Sequence, residues 1–194
     1  MRRKTLAEWI QVAASEEASD AAGPHPELAY DNALAGQGGI PYAELSQLLA
    51  SLRYLAMLHQ THHWIAKGDP FYSDHKLFEE LYQRTLEDID DVAEKAVGLG
   101  SENNVALASQ LCQMGQLAKA QGSPQTVPQS SELAKASLCA ERNLLVCVEM
   151  ALQSMDQGGT TTPGVENLLQ NVADRHERHV YLLGRKCSQN ALGL

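Results

Sequence analysis

Aromatic rings are scarce in this sequence, with two Phe and two Trp among 194 residues. That leaves the 44% hydrophobic content mainly to aliphatic side chains and points to a single domain of packed helices. β-Branched residues never form the alternating runs that strands need, which excludes a sheet protein. No apolar run approaches the roughly 20 residues needed to cross a bilayer, so the chain is expected to be soluble and cytoplasmic. Four cysteines, Cys112, Cys139, Cys147 and Cys187, form no CxxC pair and no disulfide-scaffold spacing, and are expected to be buried free thiols. Basic side chains are in deficit too: 15 Lys and Arg against 24 Asp and Glu give a formal charge of −9. This excludes a general nucleic-acid binder, whose affinity comes chiefly from clustered Lys and Arg, and suits a partner of positive charge. Met1-Arg2-Arg3-Lys4 has the charge of an export n-region, but Glu8 and Gln11 interrupt the apolar segment after it and Glu16-Glu17 close it.

What remains is helical patterning. Leu6, Trp9, Ile10 and Ala13 predict a short amphipathic helix over residues 4–18, followed by a Gly- and Pro-rich connector from Ala22 to Pro41. From Pro41, a stripe of Leu45, Leu48, Leu49, Leu52, Leu55 and Leu58 runs to His62-His63-Trp64 and stops near Gly68-Asp69-Pro70. A second long helix is expected to be capped by Ser73 or Asp74, with Phe78, Leu81, Tyr82, Ile89, Val92, Ala93 and Ala96 inward, ending at Gly98 and Gly100. Val105, Leu107, Leu111, Met114 and Leu117 suggest a short connecting helix before a loop at Gln121–Gln129. A third long helix is expected over Ser130–Asp156. The fourth spans Pro163–Cys187 with the stripe Val165, Leu169, Val172, His176, Val180 and Leu183. Two hairpins joined by a longer crossover give an all-α, ferritin-like four-helix bundle over 41–188, with an N-terminal extension at 1–40 and a tail at 189–194.

The block that carries chemistry is His63, His75, Glu79, Asp90 and Glu94, whose imidazoles and carboxylates are suitable ligands for iron and similar divalent metals. At roughly 100° per residue, His75, Glu79, Asp90 and Glu94 share one arc of about 100° on the second helix. The gap from Glu79 to Asp90 is about 16 Å of helix rise, far beyond the roughly 2–2.5 Å of a metal bond. One helix therefore cannot close the site. Two copies packed antiparallel across a two-fold axis can, with His75 and Glu79 of one facing Asp90 and Glu94 of the other, and His63 approaching from the corner between the first two helices. Any single pair among these residues reads as the solvated side of an amphipathic helix, whereas five in register favour a site.

His62-His63-Trp64, followed by Gly68, Phe71, His75 and the run Asp90-Asp91-Val92-Ala93-Glu94-Lys95-Ala96-Val97-Gly98-Leu99-Gly100, closely resembles the signature of the Dps family. His179-Val180-Tyr181-Leu182-Leu183 resembles that family's closing segment more weakly. The resemblance implies ligands at His63, His75 and Glu79 from one subunit and Asp90 and Glu94 from its two-fold mate, in a hollow homododecamer. It further implies ferroxidase activity, in which ferrous iron is oxidised by hydrogen peroxide or oxygen and stored as ferric oxide, protecting against oxidative stress. Trp64 is then a residue that traps oxidising equivalents, or else an aromatic filling the subunit interface. Glu79 stands where the family usually has aspartate, which adds a methylene to that ligand's reach.

His59 is either an additional ligand or a hydrogen-bonding residue at an interface, and His176, on an apolar stripe, reads as a satisfied core histidine. Glu141, Asp174 and Glu177 read as solvated or cavity-lining. Two rival functions stand beside the ferroxidase. A structural or DNA-compacting shell has only Arg2, Arg3 and Lys4 in its favour, against six acidic residues in 1–40, so DNA binding is expected to be weak. A classical di-iron protein requires Glu-x-x-His motifs inside one bundle, and neither the second nor the fourth long helix contains one.

Overall fold

The computed structural model of the chain describes residues 41–121 and 130–191, with the side chains of 41–120 and 131–188. The expected helix over 4–18, its connector up to residue 40, the loop after Gln121 and the last three residues of the tail lie outside them. Five α-helices follow in order: α1 Ala43–Ile65, α2 Phe71–Leu99, α3 Leu107–Gln121, α4 Ser130–Gln157 and α5 Pro163–Ala191, with a 3-10 turn at Glu102–Val105. α1 packs along α2 and α4 along α5, the hairpins meet chiefly through α1 against α4, and α3 lies against α1.

The leucine stripe explains why α1 is central. Leu45, Leu48, Leu49, Leu52 and Leu55 are at most 1% exposed, and full burial of each such side chain contributes on the order of 2 kcal/mol. One turn further on, the same register carries His59 and then His62, both buried. The buried stripe of α2 likewise interrupts itself, running Phe78, Leu81, Thr85, Asp88, Val92, Ala96. That of α4 passes through Ser137 and Glu141, and that of α5 through His176 and His179. The apolar core is consequently two clusters. One gathers Leu48, Leu52, Val92, Leu144, Val148, Leu169 and Val172, and the other Phe78, Leu81, Leu133, Leu138 and Leu183. The buried polar groups fall at the registers between them.

Several local expectations are corrected. α1 begins at Ala43 rather than Pro41, after Tyr42 in the left-handed region at φ 60°. α2 begins at Phe71, two to three residues before the expected caps. Ser73 Oγ instead donates to the Pro70 carbonyl (2.9 Å), and the buried Asp74 pairs with Lys186 Nζ (2.5 Å). On α3 the predicted apolar residues Leu107 and Leu111 are 69% and 57% exposed, while the buried residue is Gln110. Its amide donates to the Ser46 carbonyl (3.0 Å), Ser46 Oγ and the Asn104 carbonyl, satisfying backbone acceptors that burial would otherwise penalise. Of the cysteines only Cys147 is buried; Cys112 and Cys139 are exposed and Cys187 is intermediate. The burial expectation holds for Cys147 alone: Cys187 packs partly buried against the second core cluster, and Cys112 and Cys139 fall off the core stripes.

Candidate metal centres

The corner between α1 and α2 is built by its histidines. His63 Nδ1 donates to the His75 carbonyl (2.8 Å) and His75 Nδ1 donates to the His63 carbonyl (3.0 Å). The two rings stack with centroids 3.7 Å apart; Phe71 stacks on His75 at 5.2 Å and Tyr82 meets His63 edge-on at 5.5 Å. Donation through Nδ1 fixes the tautomer of both rings and leaves each Nε2 as a lone-pair donor, the state in which imidazole binds a metal. Glu79 is one turn along α2 from His75. The Lys76 ammonium donates to its Oε2 (2.6 Å) and holds the Glu79 carboxyl below its ordinary range.

The structure thus brings together His63, His75 and Glu79. It does not bring Asp90 or Glu94 to them: these are exposed, further along the same unbroken helix, and have no hydrogen bond or ion pair among the described residues. Trp64, adjacent to His63, is 67% exposed. The corner holds its histidines ready while presenting two carboxylates elsewhere that it cannot use itself.

A second cluster occupies the polar layer inside the bundle. Glu141 on α4 is fully buried inside the bundle, a correction to its reading as solvated or cavity-lining. Its carboxylate accepts from His59 Nε2 (2.8 Å) and His179 Nδ1 (2.9 Å) at Oε1, and from His176 Nδ1 (2.6 Å) at Oε2. Asp88 on α2 is paired with Arg175 and stands 3.3 Å from His176 Nε2. Ser137 joins the layer to a further histidine. With His62 Nδ1 donating to Ser137 Oγ (2.8 Å) and the hydroxyl donating to His59 Nδ1 (3.1 Å), each group in that chain is satisfied. Burial alone would raise the Glu141 carboxyl; attraction from His176 and the three imidazole hydrogen bonds hold it well below the usual carboxylate range. Burial would likewise lower His176, but Glu141 and Asp88 carry it up to about 9. For His62 burial, with repulsion from His59 adding to it, takes the imidazole down to about 4.

With this architecture in place, the ferritin-like domain family matches residues 42–189. The chain belongs to the ferritin-like family, in its Dps branch. It is 24% identical to the nutrient stress-induced DNA-binding protein of Nostoc sp. over 77% of this chain and 78% of that protein. Among solved structures, DpsC from Streptomyces coelicolor superposes with a TM-score of 0.65 at 25% identity, covering 75% of this chain and 83% of that one. A Dps protein from Vibrio cholerae O1, described as a member of a broad superfamily of ferritin-like diiron-carboxylate proteins, superposes at 0.59 with 20% identity over 74% and 86% of the two chains. No helix among the described residues is long and apolar enough to cross a membrane.

Within this Dps-family chain, the residues that sequence reasoning missed are Asp88 and Glu141. Both sit on apolar stripes, Asp88 in register with Leu81 and Val92, and Glu141 with Leu138, Leu144 and Val148. Charged residues at core registers of α2 and α4, together with histidines at core registers of α1 and α5, are the available signal.

Proposed function

We propose that the chain is a Dps-type ferroxidase and iron store. Two copies pack α2 against α2 across a two-fold axis, so that His63, His75 and Glu79 of one subunit share ferrous iron with the partner subunit's Asp90 and the partner subunit's Glu94. The observation that carries this reading is the histidine clasp: both rings are oriented by the backbone and neither Nε2 has a hydrogen-bond partner among the described residues, which leaves both free to ligate a metal. Asp90 and Glu94, with no partner among the described residues, lie about 16 and about 22 Å of helix rise from Glu79, so they complete a site only on another copy. The family fold and the diiron-carboxylate description of the Vibrio cholerae relative support iron as the substrate.

The residues divide the work. His63 and His75 bind through neutral nitrogen, while Glu79 and the partner's carboxylates neutralise the charge that grows as ferrous becomes ferric. Two ferrous ions each give one electron to hydrogen peroxide, the O–O bond breaks, and two protons complete two waters. No hydroxyl radical is released. Trp64, beside the site and largely exposed, stands where a stray oxidising equivalent would be trapped. The ferric product collects in the hollow of a closed, dodecameric shell, drawn there as cations by a chain of formal charge −9.

The test is anaerobic addition of ferrous iron to the purified protein, injection of hydrogen peroxide, and measurement of ferric absorbance for wild type and a His75→Ala, Asp90→Ala double variant. Fast oxidation that the variant loses supports the shared site; equal, buffer-like rates in both would sink it. The name of the Nostoc relative favours a second role in DNA binding. Given three basic side chains in residues 1–40 against six acidic ones, a gel shift should show weak binding abolished by modest salt.

A further inference from the structure

We infer that the buried polar layer is a second metal site, lying within one subunit and binding a single divalent first-row transition cation through Glu141, His176 and His179, with His59 beside them. It does not depend on the shared site proposed above, from which it differs in location, ligands and burial.

Three observations point to an ion rather than to a self-contained polar core. Glu141, His176 and His179 each offer a ligand atom, and these atoms all lie within 4.8 Å of one another, every one buried. Ligands about 2.1 Å from one ion stand about 3 Å apart when adjacent and about 4.2 Å when opposite. The hydrogen bonds of 2.6, 2.8 and 2.9 Å from His176, His59 and His179 to the Glu141 oxygens hold these nitrogens at the adjacent spacing, where a bound ion would displace the bridging protons. His179, 1% exposed, has an Nε2 with no hydrogen-bond partner, and Nε2 of His176, though 3.3 Å from Asp88, is off the hydrogen-bond line. A buried imidazole nitrogen left orphaned in the wall of such a cluster calls for an occupant.

The donor set selects the class of ion. Two imidazoles to one carboxylate, with a third imidazole beside them, suit iron(II), cobalt, nickel, copper or zinc, and exclude calcium and magnesium, which take oxygen. Cys147, the one buried thiol, is on the part of α4 that faces the leucine cluster and takes no part. Charge selects a single ion: once His176 gives up its proton to bind as neutral imidazole, Glu141 and Asp88 bring two negative charges and Arg175 returns one positive, so a second divalent ion would leave the layer strongly cationic in an apolar surround. The Glu-x-x-His pattern of a di-iron pair is absent from α2 and α5. Asp88 and Arg175 stand behind His176 and orient it.

The experiment uses the full-length protein carrying His75→Ala and Asp90→Ala, which cripple the shared site, stripped with a chelator and then loaded anaerobically with cobalt(II) alone. We expect one tightly held cobalt per subunit after desalting, with X-ray absorption showing imidazole scattering. Adding His179→Leu should weaken retention by at least about tenfold. The unaltered protein, crystallised with cobalt, should show an anomalous peak between Glu141, His176 and His179, which keeps the inference testable where His179→Leu fails to fold. Failure of the double variant to retain cobalt, or an anomalous map with peaks only outside the bundle, would overturn it. Loss of ferroxidase activity in the double variant with cobalt still bound separates this site from the shared one.

Discussion

Replacing Arg175 by Leu strips Asp88 of its guanidinium partner. Asp88 is fully buried, and the cation that remains is the His176 imidazolium, whose Nε2 is 3.3 Å away and off the hydrogen-bond line and whose charge is already engaged by Glu141. Removing one partner of a buried pair typically costs 3–5 kcal/mol because the other charge is left uncompensated. The Arg175 side chain is 31% exposed and its second contact, Asp91 at 3.6 Å, lies at the surface, so solvent screens part of the interaction and the lower end, about 3 kcal/mol, is expected. For a domain of this size that corresponds to a fall in Tm of roughly 6–12 °C. The assay is calorimetric melting of metal-free protein at one fixed protein concentration and pH 7, with Asp88→Asn and the double variant completing a cycle. The double variant should recover more than half of the loss, since the buried charge is gone with its partner. A single-variant Tm within about 2 °C of wild type would refute the reasoning and show that water reaches Asp88.

The acid limb of stability is set by the buried neutral histidines. His62 is carried down to about 4 from an ordinary 6.5, so the unfolded chain takes up a proton that the folded chain refuses. Stability of metal-free protein should therefore be constant in this group's contribution above pH 6.5 and fall by about 3 kcal/mol towards pH 4, and His62→Gln should flatten that slope in chemical denaturation series. His176, held up near 9, acts oppositely, with its contribution complete below pH 6.5 and lost as pH rises through 9. At the end of α2, a methyl group on Gly100 would collide with the Asn104 amide and stand 2.6 Å from the Pro41 carbonyl and 2.9 Å from that of Ala96. Gly100→Ala should cost on the order of 1–3 kcal/mol by breaking the Asn104 bridge between those carbonyls; an unchanged Tm would show that the junction gives way freely.

The parts legible in the sequence are those where one period governs. The leucines of α1 and the inward residues Phe78, Leu81, Val92 and Ala96 of α2 are buried as their spacing dictates. His63 and His75 also declared themselves, because a turn joining two helices in a hairpin must bring residues on either side of it together. Glu141 did not, since charge argues for solvent unless its partners are known, and those partners are 82, 35 and 38 residues away in sequence. The start of α2 was misjudged because a capping preference of about 1 kcal/mol is a weak claim on Ser73 and Asp74. Asp74 is engaged instead by Lys186 from the other end of the chain. Leu107 and Leu111 were expected inside on hydrophobicity alone, but the face of α3 that meets α1 is chosen by the polar Gln110, which alone can satisfy the carbonyls there.

The reciprocal bonds between His63 and His75 make the intervening turn a closed ring whose circumference is fixed. Surface turns ordinarily accept an inserted residue at little cost, and Ala66–Pro70 carries no proposed ligand, so a screen of ligand substitutions would pass over it. Yet Gly68 holds φ at 84°, a backbone state open chiefly to glycine, and the Phe71 amide closes back on its carbonyl at 3.0 Å. Lengthening this turn by one residue shifts one ring relative to the other and opens both bonds at once. The spelling of the turn matters less than its length, and a change in that length would disarm the histidines without altering either of them.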